Sequence, residues 1–183
     1  TPYYTLETDF VYQTHYTEMV NSVNIYNGFY IGRFEASQYE IEGQVTAASM
    51  SGKIPWTNIT YLNAAEHAVN SSKIFGYTDC YTGIISSHAW VTAIDWVDLK
   101  NEHYSSDVNF GNYSGTIYPT GTTTTDSVRN ICDLAGNVRE WTSEIYKIRN
   151  EDRRDESGGF VTQRVVRGGS ANLKRTPVSH IPY

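Results

Sequence analysis

The feature that most limits the fold of this chain is residues 101–130, a stretch without a pattern of regular structure. Gly, Ser, Thr, Asn and Tyr dominate it, and the run TGTTTTDS lies near its end. Such long loops without secondary structure are uncommon inside compact domains. We therefore expect ordered loops that something besides an apolar core holds in place, such as a bound metal ion or a ligand.

The length of 183 residues fits one compact domain with long loops, since a domain averages roughly 150 residues. The apolar stretches are far shorter than the ~20 residues that span a bilayer. The N-terminal residues lack the basic flank and apolar centre of a signal peptide. We expect no membrane insertion, and a formal net charge of -6 disfavours nucleic acid as a partner.

Apolar spacing and capping residues predict three helices and two strands. Asn58 or Thr60 can cap the second helix, which places Leu62, Ala65 and Val69 on one face. Ser86 or Ser87 can cap the third, which carries the apolar stripe Trp90, Ala93, Ile94 and Val97. The predicted elements are helices over 16–26, 60–72 and 86–100, strands over 29–35 and 161–171, a surface excursion over 37–53 and a charged hairpin tip over 147–159.

The two cysteines, Cys80 and Cys132, do not form a CxxC pair. This excludes a zinc ribbon and a dithiol redox motif. We expect two buried thiols that pack as small apolar groups, while a disulfide between them stays open.

Four sequence blocks carry a family resemblance: GFYIGRFEAS, PWTNITYLNAAEHA, CDLAGNVREWTSE and RVVRGGSA. In order and spacing they resemble the formylglycine-generating-enzyme (sulfatase-modifying factor) family over residues 28–171. The resemblance implies an α+β fold of the C-type lectin-like kind, with two main helices, a small twisted mixed sheet and many loops held by turns and calcium. It divides the chain into an N-terminal arm with a short helix, residues 1–27, and a family domain, residues 28–183.

The GNVRE element, residues 136–140, carries a calcium prediction. Calcium takes six to eight oxygen ligands from carboxylates, amides and backbone carbonyls. The resemblance implies a site formed by the side chains of Asn137 and Glu140 and by the carbonyls of Gly136 and Val138. The alternative is that Glu140 pairs with an arginine, Arg33 or Arg167, and that no ion is bound.

A second calcium site of the family is expected near Asn109 and Phe110. Its acidic Asp-Gly-aromatic partner is missing from TGTTTTDSVRN. We therefore expect one calcium at most.

Catalytic members of the family capture copper with two cysteines shortly after the RGGS strand. This chain reads SANLKRTPVSHIPY there, and no cysteine follows Cys132. Soft thiolates select Cu(I), so we expect neither copper nor formylglycine formation. The five histidines are scattered without an HxxxH pair, and a GxSxG elbow is absent from the sequence. These observations predict a protein that is not an enzyme.

A domain that keeps the family fold without the catalytic residues is expected to bind a ligand through its loops. Non-catalytic relatives are similar to bacterial surface proteins and to variable proteins that retroelements diversify in bacteria and phages, where residues after RGGS form the binding face. The corresponding residues here are Asn172, Lys174, Arg175, Thr176 and His180. Tyr and Asn from loops 101–118 would be their neighbours, a composition that suits a paratope.

Two function hypotheses follow. The first is an extracellular display domain, on a cell surface or virion, that binds a protein or glycan ligand. The second is a structural decoration module that contacts only neighbouring chains of its own assembly. The resemblance implies a last strand with Gly-Phe-Arg, which does not occur in the sequence up to Tyr183. We expect either that the chain is a fragment or that a partner supplies this strand at an open sheet edge. An oxidase of the formylglycine-generating type is a distant third.

Overall fold

A computed structural model describes residues 16–17, 19–99, 104, 109–122, 127–149, 160–173 and 180–182. Its helices are α1 (residues 16–26 apart from residue 18), α2 (Tyr61–Ile74) and α3 (Ser87–Asp98). Its strands are β1 (Ala36–Ile41), β2 (Gln44–Ser49), β3 (Ser127–Val128), β4 (Ile131–Cys132), β5 (Glu140–Arg149), β6 (Phe160–Arg167) and β7 (His180–Pro182). Within these ranges, none of the helices has the length and apolar character needed to cross a membrane.

The strands form three small sheets, β1-β2, β3-β4 and β5-β6-β7. The predicted α+β class with two main helices is confirmed, although the strand pairs of the described residues are all antiparallel, where a mixed sheet was expected. β7 pairs with Val165–Arg167 at the end of β6. This part of the sheet edge, expected to be open, is therefore covered by the chain itself.

The region around the first hairpin differs from the sequence prediction. The predicted strand over 29–35 and the predicted surface excursion over 37–53 are both wrong, because the strand begins at Ala36 and pairs with β2. The two residues between the strands, Glu42 and Gly43, have φ of 51° and 75°. Two successive positive φ values produce the tight turn whose twist matches a hairpin.

A serine side chain holds the segment just before β1. The Phe34 N–H donates to Ser49 Oγ, and Ser49 Oγ donates to the Phe34 carbonyl, both at 2.9 Å. A side chain added at Gly32 would crowd the same hydroxyl, at 3.2 Å. The backbone of Phe34 is thus satisfied outside a strand ladder.

Helix α2 begins where the sequence predicts but turns a different face inward. Thr60 caps it, since Thr60 Oγ1 accepts the Asn63 N–H at 3.3 Å. The predicted apolar face is wrong, because Leu62 and Val69 are 74% and 60% exposed.

The inward face of α2 binds the edge of β2 through polar side chains. His67 Nδ1 lies 3.1 Å from the Val45 carbonyl oxygen, and Ser71 Oγ donates to the Ala47 carbonyl at 3.0 Å. Four helix residues rise about 6 Å and two strand residues about 6.6 Å, so the two spacings match. Helix side chains therefore protect an edge that otherwise invites strand addition.

Helix α3 supplies the apolar core as predicted. Ser86 caps it by accepting the Ala89 N–H at 3.1 Å. The predicted stripe of Trp90, Ala93, Ile94 and Val97 is buried. Trp90, Ile94 and Val97 pack in a cluster with Tyr104, Val128, Ile131, Leu134 and Ala135. Because Leu134 and Ala135 belong to this cluster and directly precede Gly136, the core adjoins the GNVRE element.

Helix α1 confirms the helix predicted over 16–26 and lies against α3. The Tyr16 ring meets His88 edge-on with centroids 5.2 Å apart, and Thr92 Oγ1 donates to Met19 Sδ at 3.8 Å. Tyr26, at the end of the helix, is exposed. Residues 1–15 of the predicted arm lie outside the described residues.

Candidate functional site

The GNVRE turn is built around the Asn137 side chain, which is 1% exposed. Its Oδ1 accepts the Asn112 Nδ2–H and the Tyr118 N–H, both at 2.9 Å. Its Nδ2 donates to the Glu35 carboxylate at 2.5 Å and to the Tyr118 carbonyl at 3.1 Å. An amide has two donor and two acceptor positions, so all four are used. Asn137 thus joins three separate segments, and we call this group of side chains the Asn137 hub.

Glu35 closes the hub from the side of β1. It is buried, and its carboxylate also accepts the Val138 N–H at 3.0 Å. Glu35 was not predicted as a site residue from the sequence. An acidic residue inside the otherwise aromatic block GFYIGRFEAS was the available signal, because a buried carboxylate requires hydrogen-bond donors.

Two glycines let the loop 109–122 approach the turn at backbone distance. A Cβ on Gly136 would collide with the Asn112 main chain, and one on Gly111 would collide with the Ala135 carbonyl. Their φ values, 76° and 105°, also favour glycine. The Asn112 N–H donates to the Ala135 carbonyl at 3.2 Å, and the Asn137 N–H to the Asn112 carbonyl at 2.9 Å. Loop and turn therefore form one backbone unit.

Asn112 shapes the tip of this loop. Its Oδ1 accepts the Ser114 N–H at 3.1 Å and the Ser114 hydroxyl at 2.7 Å, and its Nδ2 donates to the Thr116 carbonyl at 2.8 Å. The residues of the tip, 114–118, are exposed. The tip is thus an exposed surface on a buried, hydrogen-bonded base.

The segment after β6 lies beside the tip. The Gly115 N–H donates to the Ala171 carbonyl at 2.9 Å, and the Ala171 N–H donates to the Asn137 carbonyl at 2.8 Å. Residues 172–173 are exposed. Residues 114–118 and 172–173 therefore form one surface, which we call the display face.

The structure brings one of the five predicted binding residues to the display face, Asn172. Lys174, Arg175 and Thr176 lie outside the described residues. His180 begins β7, where it pairs with Arg167, so its backbone belongs to the sheet rather than to a loop.

The predicted calcium ligands differ in how well they fit a cation. Asn137 does not fit, because its side-chain oxygen and its carbonyl already accept N–H groups. Glu140 fits better, because its Oε2 is buried in the space that a Gly168 side chain would fill. The Leu134 carbonyl oxygen lies 3.2 Å from that same Cβ position.

Among the described residues, His, Cys, Asp and Glu side chains do not gather in threes as a metal site. A calcium ion at Glu140 would therefore depend on backbone carbonyls. At the second expected site, Phe110 packs against Tyr104 with ring centroids 5.0 Å apart. Apolar packing thus anchors this end of the loop.

A second buried polar cluster, also not predicted from the sequence, joins α3 to the sheet. Arg167 lies opposite Glu140 in the β5-β6 register, and its Nη2 forms an ion pair with Glu144 Oε2 at 3.2 Å. Its Nε donates to Ser87 Oγ at 3.1 Å, and Ser87 Oγ donates in turn to Glu144. Thr142 completes the cluster with a hydroxyl 3.3 Å from Ser87 Oγ.

Both cysteines are free thiols. Cys132 is buried as predicted, whereas Cys80 is exposed, so the expectation of two buried thiols is wrong for Cys80. The two are not joined by a disulfide.

The sequence matches the family model described as "Sulfatase-modifying factor enzyme 1-like domain" over residues 4–180. The match extends beyond the four blocks over 28–171 on which the resemblance rests. Comparison with curated proteins and with solved structures yields no significant match.

Proposed function

The chain belongs to the sulfatase-modifying factor enzyme 1-like family, and on that premise we propose that it is a non-enzymatic member that binds a ligand with its display face. One observation carries the proposal: the tip 114–118 and the segment after β6 are both fixed to Asn137. Loops held on a rigid base can change at their tips with little loss of stability, which suits recognition.

The display face has the composition of a binding surface. Ile117, Tyr118 and Leu173 supply partly exposed apolar and aromatic area, with Ser, Thr and Asn between them. Rigid aromatic side chains lose little entropy on binding, while small polar side chains adapt their hydrogen bonds. We propose that the chain lies outside the cell, on a bacterial or phage surface, and that its ligand is a protein or a glycan on a cell surface.

A direct test measures ligand binding by the display face in the full chain. Immobilised protein is screened against glycans and purified bacterial surface proteins, alongside Ile117→Asp and the control Leu99→Ser. Leu99 is also exposed and lies outside the display face. We expect Ile117→Asp to weaken binding at least about tenfold and Leu99→Ser to leave it unchanged. Absence of any ligand, or equal loss in both variants, contradicts the proposal.

The non-enzymatic part of the proposal rests on the absence of the two copper-binding cysteines from the sequence. Copper capture in this family requires two cysteines after the RGGS strand, and this chain has none after Cys132. The full chain is incubated with a sulfatase-type cysteine peptide, copper, oxygen and a thiol reductant, which supplies the two further electrons that reduce oxygen to water. The mass of the peptide is then measured by mass spectrometry. We expect an unchanged peptide mass. Conversion of its cysteine to formylglycine would instead make the chain an oxidase.

Calcium belongs to the proposal as a stabilising ion of the GNVRE turn. Glu140 would hold it with the carbonyls of Gly136 and Val138, and Asn137 would not take part. The buried position of the Glu140 carboxylate beside Gly168 supports this assignment.

A structural decoration module is the second candidate function. Ile25, Tyr26 and Tyr30, at and after the end of α1, are exposed large side chains close together in sequence. Exposed apolar patches mark contacts with other proteins. This candidate predicts self-association in sedimentation that Tyr26→Ser weakens, together with an absence of foreign ligand. A monomer at all concentrations excludes it.

A further inference from the structure

A groove between the β1-β2 hairpin and the C-terminal end of α2 shares no residue with the display face. Its volume is about 510 Å³, within the range of small-molecule sites. Small residues such as Ala47, Ala68 and Gly83 make room for it. We propose that this groove binds the ring of an uncharged sugar.

Three near-parallel aromatic rings line the groove. Tyr39 and Phe75 have centroids 5.9 Å apart at an interplanar angle of 21°, and Phe75 and Tyr77 are 6.1 Å apart at 28°. Tyr77, at the end of this row, is 60% exposed. The row therefore offers an accessible aromatic surface to a ligand.

The end of α2 fixes this row in place. The Gly76 N–H donates to the Lys73 carbonyl at 3.1 Å, and the Tyr77 N–H donates to the Ser72 carbonyl at 2.8 Å. Gly76 has φ 73°, so the helix ends in a Schellman motif. Tyr77 is thus positioned by the backbone before any ligand arrives, which lowers the entropy lost on binding.

The lining of the groove is uncharged, which favours an uncharged ligand. None of the residues that line it is Asp, Glu, Lys, Arg or His. A charged ligand that moves from water into such a site loses hydration free energy, and no side chain of opposite charge lines the groove to offset this loss. An acidic or basic ligand is therefore disfavoured.

The polar groups of the groove favour a ligand with hydroxyls. Ser71 Oγ already donates to the Ala47 carbonyl, and Thr82 Oγ1 already accepts the Ser72 N–H. The hydroxyls of Tyr39 and Tyr77 form no hydrogen bond with any residue that the structure describes. Each phenol hydroxyl can both donate and accept a hydrogen bond, so both suit a ligand that carries hydroxyls.

A sugar ring meets both requirements. One face of a pyranose presents C–H groups, which pack on an aromatic ring, and its rim carries hydroxyls, which pair with phenol hydroxyls. The neutral lining, the exposed Tyr77 ring and the two available hydroxyls together point to this class of ligand.

The test measures binding of uncharged hexose and N-acetylhexosamine oligosaccharides to the full chain by titration calorimetry, with sulfated and sialylated forms beside them. We expect Tyr77→Ala to weaken binding about tenfold or more, and Tyr39→Phe, which keeps the ring, to weaken it less. Tyr81→Ala is the matched control, because Tyr81 is 100% exposed and does not line the groove. Urea unfolding of each variant establishes that it is folded.

The proposal is overturned if the uncharged panel does not bind, if Tyr77→Ala and Tyr81→Ala lose binding equally, or if the acidic forms bind more tightly. The display face is tested separately with Ile117→Asp, which should leave sugar binding in the groove unchanged. If Ile117→Asp loses sugar binding and Tyr77→Ala keeps it, the sugar binds to the display face. This result also overturns the proposed groove site.

Discussion

Two adjoining buried regions hold this chain together by different interactions. The cluster around α3 is apolar, with Trp90, Ile94 and Val97 buried against loop side chains. The Asn137 hub is polar and is held by directional hydrogen bonds to Glu35 and to the loop at Tyr118. Apolar packing tolerates small changes of shape, whereas a hydrogen-bonded hub allows one arrangement. The core therefore tolerates small substitutions, whereas the hub, which also positions the loops, does not.

The comparison also answers the question raised by the long loop region. From the sequence, a metal ion or a ligand was expected to order this region. In the described part, 109–122, the chain's own groups contribute to this order through Asn112, Asn137 and the glycine contacts of Gly111 and Gly136. Calcium at Glu140 would add to this arrangement.

The substitution Asn137→Asp should have the largest effect. A carboxylate cannot donate to Glu35 or to the Tyr118 carbonyl, and it places two carboxylates together in a buried site. We expect a loss of at least about 3 kcal/mol in the free energy of unfolding, measured in urea. The control Asn70→Asp lies on an exposed residue of α2 and should stay within about 0.5 kcal/mol. Equal stability of the two variants would show that the hub does not hold the fold.

Calcium should have the next largest effect. At about 100 times its dissociation constant, one calcium ion should raise the stability by about 2.7 kcal/mol. Chelation should therefore lower Tm, and Glu140→Gln should abolish the response while Glu66→Gln, on an exposed residue of α2, keeps it. A Tm that chelation does not move would remove calcium from the account.

The smallest effect should come from Ile94→Val in the apolar core. Removal of one buried methyl group there should cost about 1 kcal/mol. Asn137→Asp is as small a change in shape. The ratio of the two losses in unfolding free energy, measured in the same urea experiment, therefore compares how well the core and the hub tolerate a small change. A larger loss for Ile94→Val than for Asn137→Asp would reverse it.

The sequence predicts the parts of the fold that depend on local patterns. The caps Thr60 and Ser86 and the apolar stripe of α3 follow from capping chemistry and helical spacing. The hairpin was missed because Glu42 stands at a position with φ 51°, where Gly, Asn or Asp is the usual signal. The inward face of α2 was missed because it binds β2 through His67 and Ser71 rather than through apolar side chains.

The site was only partly predictable for a related reason. The GNVRE block pointed to Asn137 and Glu140 as calcium ligands, but the Asn137 side chain instead forms hydrogen bonds with distant segments of the chain. Its partner Glu35 is 102 residues away in sequence, and spacing gives no sign of such a pair. Loop geometry of this kind depends on tertiary contacts that a single sequence does not display.

Amide hydrogen exchange tests the central claim most directly. If the Asn137 hub fixes the loops, the amides of Tyr118 and Ala171 should exchange nearly as slowly as the Trp90 amide within α3, although both lie outside helices and strands. The amides of residues 79–81, in an exposed loop, supply the fast reference. Exchange of Tyr118 and Ala171 at the rate of residues 79–81 would contradict the account.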